Sequence, residues 1–385
     1  MLTKNISFKN FSKKTKIIKL KKILKSLLKE NLDCVESLKN NYEYSYSKNQ
    51  IKKYKKFPDV RIIGIGGSIL GAEAIYGFLK NKIKKNFLFI NNLKSKNNYL
   101  ENKKKFLNLI ISKSGNTLET ISNVNILIKK KDKNIFILEN NNNYLNNLAK
   151  KLKSDVIEHN NFIGGRYSVL SEVGMLPAEL MGLNENKFKN FNNLIKNKNF
   201  VNNLLNNVNN TVSLVKKGNL NSIILNYDEG SENFFKWYQQ LLAESLGKKA
   251  KGILPVISSM PKDNHSLMQL YLDGPKKSFF TFFYVFNNSQ VKIKNQNIIS
   301  NYNYLKNKNI DQIIFAQKRA TEKVFIKKKI PFRSFEINER SEKSIGELFC
   351  FFILETILIG RVLNLNPFDQ PSVELIKNET KKFLL

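Results

Sequence analysis

The sequence predicts an α/β protein of two units, each a doubly wound, mainly parallel sheet flanked by helices in three αβα layers. Three observations carry this reading. The 385 residues, 42% of them hydrophobic, leave room for about two domains, each with its own core. From residue 60 onward, short apolar runs alternate with longer segments of helical periodicity, the order in which parallel strands and crossover helices follow one another. The alternation pauses in a lysine- and asparagine-rich zone, 184–217, and then resumes.

Residues 1–56 read as a helical cover, with Ile17, Ile18, Leu20, Ile23, Leu24, Leu27 and Leu28 at helical spacing before a polar stretch. In the first unit, 57–185, strands are expected at 60–65, 87–90, 107–111 and 135–138. The second unit, 186–365, opens on the helical connection 184–217 and continues with strands at 222–225, 252–257 and 278–286. Its most apolar stretch, 348–363, carries Glu355 and Arg361, follows Glu347, and falls short of the roughly 20 apolar residues that span a bilayer, so a buried helix is predicted. Residues 366–385 form a C-terminal helical segment.

Composition narrows the function. Lys+Arg of 65 against Asp+Glu of 31 gives a net charge of +34, which invites a nucleic-acid or anionic-membrane reading. The excess is lysine, with only six arginines, and it travels with asparagine, isoleucine and phenylalanine, the residues of A- and T-rich codons. The basic residues do not cluster with stacking aromatics on any one element, so neither a specific nucleic-acid partner nor a membrane partner is expected. Cys34 and Cys350, far apart in apolar settings, suggest neither a disulfide framework nor a metal site. The N-terminus lacks the apolar core and the arginines of targeting segments, so a reducing, cytoplasmic location is expected.

Six segments carry chemistry. RIIGIGGSILG, 61–71, runs a strand into a glycine-rich turn and a helix starting near Ser68, a geometry that suits a phosphate, with Gly67 and Ser68 at its centre. LIISKSGNTLET, 109–120, repeats the strand–turn–helix and places Ser112, Lys113, Ser114 and Thr117 in the turn as an anion cradle. A capping-box pairing of Asn116 with Glu119 would explain part of that polarity equally well. The two turns are expected to face each other across a switch point at the carboxyl ends of the strands. FIGGRYSVLSEVG, 162–174, places Arg166, one of the few arginines, after a glycine pair, where a fixed and delocalised charge is called for. WYQQLLAESLGK, 237–248, sets Gln240 and Glu244 four residues apart on one helical face, and a shielded glutamate there can serve as a general base. PKDNHSLMQLYLDGP, 261–275, holds His265; the other histidine, His159, lies in a polar EHNN run and reads as a surface residue. NPFDQPSVELIK, 366–377, spaces Gln370 and Lys377 two helical turns apart.

In this order the segments resemble the phosphoglucose isomerase family, from about residue 60 to the C-terminus. The family's GIGGS stands at 64–68, its SKS/T-x-x-T at 112–117, its GGRYS at 164–168, its Q-x-x-x-E-S-x-G-K at 240–248, its histidine motif at 263–266 and its FDQ-x-x-V-E-x-x-K at 368–377. The resemblance implies two sugar-isomerase (SIS-type) subdomains. It also implies isomerisation of D-glucose 6-phosphate to D-fructose 6-phosphate through an enediolate, in glycolysis and gluconeogenesis, with no metal and no cofactor. By the same resemblance Ser112, Lys113, Ser114 and Thr117, with Gly67 and Ser68, would hold the phosphate. His265 and Lys377 would assist ring opening, Glu244 would move the proton between C2 and C1, and Arg166 would stabilise the enediolate. Gln240 and Gln370 would orient hydroxyls or catalytic groups. A homodimer is implied, with His265 donated across the interface. The first glycine-rich loop comes earlier than in longer family members, Ser372 stands where glycine or alanine is common, and Asn116 replaces a frequent threonine. A bifunctional phosphoglucose/phosphomannose isomerase and a non-catalytic sugar-phosphate sensor are the alternative readings.

Overall fold

The computed structural model describes residues 1–11, 17–94, 105–129, 132–287 and 291–385. Among these residues there are ten strands, β1 (Ile6–Lys9), β2 (Asp59–Ile63), β3 (Asn86–Ile90), β4 (Leu107–Ile111), β5 (Lys133–Leu138), β6 (Asp155–Glu158), β7 (Asn221–Asn226), β8 (Leu254–Ser259), β9 (Ser278–Val285) and β10 (Phe332–Ile337). They form two five-stranded sheets, in the orders β3-β2-β4-β5-β6 and β1-β10-β9-β7-β8. Every pairing is parallel except β1 with β10. Central strands such as β4, LNLII, are buried throughout, because helices cover both faces of a parallel sheet and leave no solvated side. Asn108 within it donates across the ladder to Asn134 Oδ1 at 2.9 Å, while its own Oδ1 is buried without a hydrogen-bond partner.

Three strands depart from the sequence reading. The segment 1–56, expected to be helical, contributes the helix Ile18–Lys29 but also β1, which closes the edge of the second sheet. β6 and β10 also went unmarked, and β10 because Arg333, Ser334 and Glu336 make it read as polar. The two charged groups are matched from outside the strand: Arg333 pairs with buried Glu355 and donates to Thr281 Oγ1 at 2.9 Å, and Glu336 pairs with Lys318, while Ser334 Oγ is buried without a partner.

The apolar stretch is one helix, Glu342–Val362, opened by a capping box between Ser341 and Ser344 and buried along nearly its whole length. Its acidic residues are paired, Glu347 accepting from Thr3 Oγ1 at 2.6 Å and Asn190 Nδ2 at 2.8 Å. It packs against the helices Lys198–Lys216 and Glu232–Leu246. The two units meet where the helix Leu70–Leu79 of the first lies on Glu232–Leu246 of the second. Arg340 ties this seam, pairing with Asp228 and donating to the Phe78 carbonyl at 3.2 Å. Among the described residues no helix is long and apolar enough to cross a membrane.

Candidate functional site

The chain leaves β2 and β4 at the same end of the first sheet, and these strands are direct neighbours, Ile63 opposite Ile110. β3 lies on one side of β2 and β5 beyond β4, so the order reverses between them and the two turns sit together at the switch point. In the second turn Ser112 Oγ lies 3.2 Å from Thr117 Oγ1, and Ser114 Oγ accepts from the Asn116 amide at 3.3 Å. Hydroxyls and the start of the helix Leu118–Leu127 thus converge on one point suited to an anion. The Lys113 ammonium turns aside to the Asn161 carbonyl at 2.8 Å and to Glu139 at 3.4 Å. The Asn116–Glu119 box does not form; Asn116 Oδ1 accepts instead from the Tyr144 amide at 3.0 Å.

At the seam between the units, Arg166 gathers two distant segments, 244–245 and 367–370. It is 2% exposed and engages all five of its N–H groups. Nε donates to Ser245 Oγ at 2.8 Å, and one terminal nitrogen to Glu244 Oε1 at 3.0 Å and Gln370 Oε1 at 2.8 Å. The other donates to the Pro367 carbonyl at 2.6 Å and the Asp369 carbonyl at 3.1 Å. Gln240 Nε2 donates to the second oxygen of Glu244 at 2.9 Å, as the i, i+4 spacing allows, while Gln240 Oε1 is buried without a partner. The Glu244 side chain keeps 23% of its surface open.

Backbone contacts bring this cluster to the first turn. A Cβ on Gly67 would fall 2.2 Å from the carbonyl carbon of Gly165, and one on Gly66, whose φ is +56°, 3.0 Å from Gln240 Nε2. Only glycine allows both approaches. Three residues that the sequence reading passed over complete the cluster, each inside or beside a quoted motif. Ser245 accepts from Arg166, Tyr167 Oη donates to the Pro367 carbonyl at 3.0 Å, and Lys248 pairs with Asp369 at 2.5 Å.

His265 and Lys377 lie elsewhere in the subunit. The helix Glu232–Leu246 runs antiparallel to β8 and is registered on it by Gln239 Nε2, which donates to the Pro255 carbonyl at 2.8 Å. From that point Glu244 lies about 8 Å toward one end of the sheet and Ser259 about 13 Å toward the other, at about 1.5 Å per helical and 3.3 Å per strand residue. His265, exposed in the turn Lys262–His265 just beyond β8, therefore lies toward the end of β8 opposite to Glu244 of its own chain. Lys377 pairs with Glu374 at 2.6 Å on the exposed helix Val373–Leu384.

His159 is not a surface residue, as its polar neighbours suggested, but 1% exposed at the end of β6, with Nδ1 2.9 Å from the Asn160 carbonyl. Burial lowers its pKa to about 4. Cys34 and Cys350 are buried free thiols, each pushed up to about 12 by burial. Among the described residues no three His, Cys, Asp or Glu side chains converge to hold a metal ion.

The sequence model of one family, described as Phosphoglucose isomerase, matches residues 28–384. The chain is 32% identical over 349 residues to the glucose-6-phosphate isomerase of Methanocaldococcus jannaschii, covering 86% of this chain and 85% of that one. It is 34% identical over 352 residues to the glucose-6-phosphate isomerase of Mycoplasmopsis pulmonis, covering 84% and 82%. Among solved structures, the fold is similar to a hypothetical protein from Thermus thermophilus, with a TM-score of 0.83 at 23% identity over 96% of this chain and 94% of that one. It is also similar to a glucose-6-phosphate isomerase from Chlamydia trachomatis, with a TM-score of 0.73 at 18% identity over 91% and 77%.

Proposed function

The chain belongs to the phosphoglucose isomerase family and is an aldose–ketose isomerase, and from that premise we propose how its residues interconvert D-glucose 6-phosphate and D-fructose 6-phosphate. The phosphate sits at the switch point, on the hydroxyls of Ser112, Ser114 and Thr117 and the turn around Lys113, with Gly67 and Ser68 alongside. That places the sugar carbons toward the seam. The Glu244 carboxylate removes the C2 proton of the open-chain aldose, the freed pair forms the C1–C2 double bond of an enediolate as the C1 carbonyl bond opens onto O1, the O2 proton passes to O1, and the same carboxyl group returns its proton to C1 as the C2 carbonyl forms. Arg166 stabilises the charge that develops on the enediolate oxygens, where a fixed cation in a water-poor site is most effective. Gln240 and Gln370 orient hydroxyl groups or the catalytic side chains, and the unpaired Gln240 Oε1 is an acceptor ready for a substrate hydroxyl. His265 and Lys377 assist ring opening, and the intrachain separation of His265 from Glu244 supports its donation by the partner of a homodimer.

One observation carries this reading: a single, partly open carboxylate, gripped at both oxygens by Arg166 and Gln240, is brought by Gln240 to the glycine turn that neighbours the phosphate loop. The test is a coupled assay with fructose 6-phosphate, glucose-6-phosphate dehydrogenase and NADP. Glu244→Gln is expected to abolish NADPH formation while sugar-phosphate binding, measured by calorimetry, stays close to wild type. Preserved turnover would remove Glu244 from its role.

A further inference from the structure

The turn that carries Arg166, Gly165–Leu170, is anchored at both ends. Its start is wedged against Gly67. Inside it, Ser168 Oγ donates to the Gly165 carbonyl at 2.8 Å and the Tyr167 amide to the Gly164 carbonyl at 2.9 Å, so the turn moves as a unit. At its end the Leu170 carbonyl accepts from the ammonium of Lys189, which also donates to the Ser37 carbonyl.

Lys189 is unusual in this lysine-rich chain. Among the described residues only Lys189 and Lys318 are buried lysines. Lys318 is matched by Glu322 and Glu336. Among the described residues Lys189 makes no ion pair, and the rings of Tyr42 and Tyr44 lie 4.8 and 5.1 Å from its Nζ. Burying an ammonium without a carboxylate in contact costs stability.

We propose that Lys189 is a positioning residue for the isomerase: it fixes the far end of the turn that aims Arg166 at Glu244, without touching substrate. The proposal rests on the reading of Arg166 as the group that stabilises the enediolate. Lys189 is faced by Glu172 from the helix Glu172–Leu180, by Tyr42 and Tyr44 from the N-terminal segment, and by Cys350 from the helix Glu342–Val362. Burial lowers its pKa to about 7, against opposing effects of Cys350 and Glu172. As pH rises through that value, its hydrogen bonds to Leu170 and Ser37 lose their charge assistance and the turn loosens.

The experiment is the pH dependence of kcat and KM for fructose 6-phosphate in wild type, Lys189→Met and Arg166→Lys. Lys189→Met is expected to lower kcat about tenfold, the effect of one lost charge-assisted hydrogen bond, with KM within about twofold because the phosphate loop is untouched. Wild type is expected to show a decline of kcat above about pH 7 that Lys189→Met lacks. An unchanged kcat, or the same alkaline decline in both proteins, would overturn the proposal. Should Lys189→Met fail to fold, Lys189→Gln, which retains a donor but does not titrate, takes its place. A wild-type kcat level between about pH 6 and 9 would overturn the proposal by itself. Arg166→Lys separates the two readings: full kcat there refutes the role of Arg166, whereas loss there with unchanged Lys189 variants refutes only the role of Lys189.

Discussion

Arg166 is held by five protein acceptors, which fixes the plane of its guanidinium before substrate arrives. A lysine at this position keeps the charge and loses the fork, so Arg166→Lys is expected to lower kcat about 10- to 100-fold while moving KM much less, read by steady-state kinetics. His159 gives a different kind of prediction. Its folded pKa of about 4 lies below the ordinary 6.5, so the unfolded chain binds one more proton between those values and stability falls as pH drops through them. Buried Glu172 and Glu347, raised by burial, act in the opposite sense, so the comparison must be between variants. His159→Gln is expected to remove up to about 3 kcal/mol of the acid destabilisation by pH 4, seen as a smaller loss of Tm between pH 6.5 and 4. That Arg166, Gln240 and Glu244 stand out was legible because arginine is rare here and because about four residues make one helical turn, whereas Gln370 entered through its place in the family motif. The burial of His159 was not, since an EHNN run does not reveal that its backbone continues β6 by hydrogen bonding to the Leu138 carbonyl.

At the scale of elements, glycine governs how closely the loops approach. Gly67→Ala pushes a methyl group into the Gly165 carbonyl, and we expect about 1–3 kcal/mol of lost stability together with lost turnover, measured by urea unfolding and the coupled assay. The edge strand β1 is equally testable. Removing residues 1–11 bares the hydrogen-bonding edge of β10 and strips Glu347 of its Thr3 partner, so a lower Tm and increased light scattering are expected. Central strands such as β4 were legible because two covered faces demand an unbroken apolar run. β1 and β6, four residues each at sheet edges, carry too little pattern, and the polarity of β10 is explained only by Glu355 and Lys318, which pair with it from other elements.

At the scale of the whole molecule, the site lies where two α/β units meet, and no single unit contains it. The motif order made the family legible, but the seam was not, because contacts such as Gly67 on Gly165 depend on how two sheets are docked. If His265 serves the partner's carboxylate, inactive Glu244→Gln and inactive His265→Ala subunits should complement each other. After mixing and subunit exchange, half of the dimers carry one intact site of two, so about a quarter of wild-type activity is expected to return, and none if both groups act within one chain. The antiparallel strand β1 has a further consequence, in the order of synthesis. Ile6 pairs with Ile337, made about 15–65 s later at about 5–20 residues per second of translation. The first sheet, drawn wholly from residues between Asp59 and Glu158, can close on the nascent chain during that interval. ISFK must wait, unpaired, until residues 334–337 have been made. A product stalled before β10 is made therefore leaves ISFK without its partner, and carries an open strand edge that marks it as unfinished.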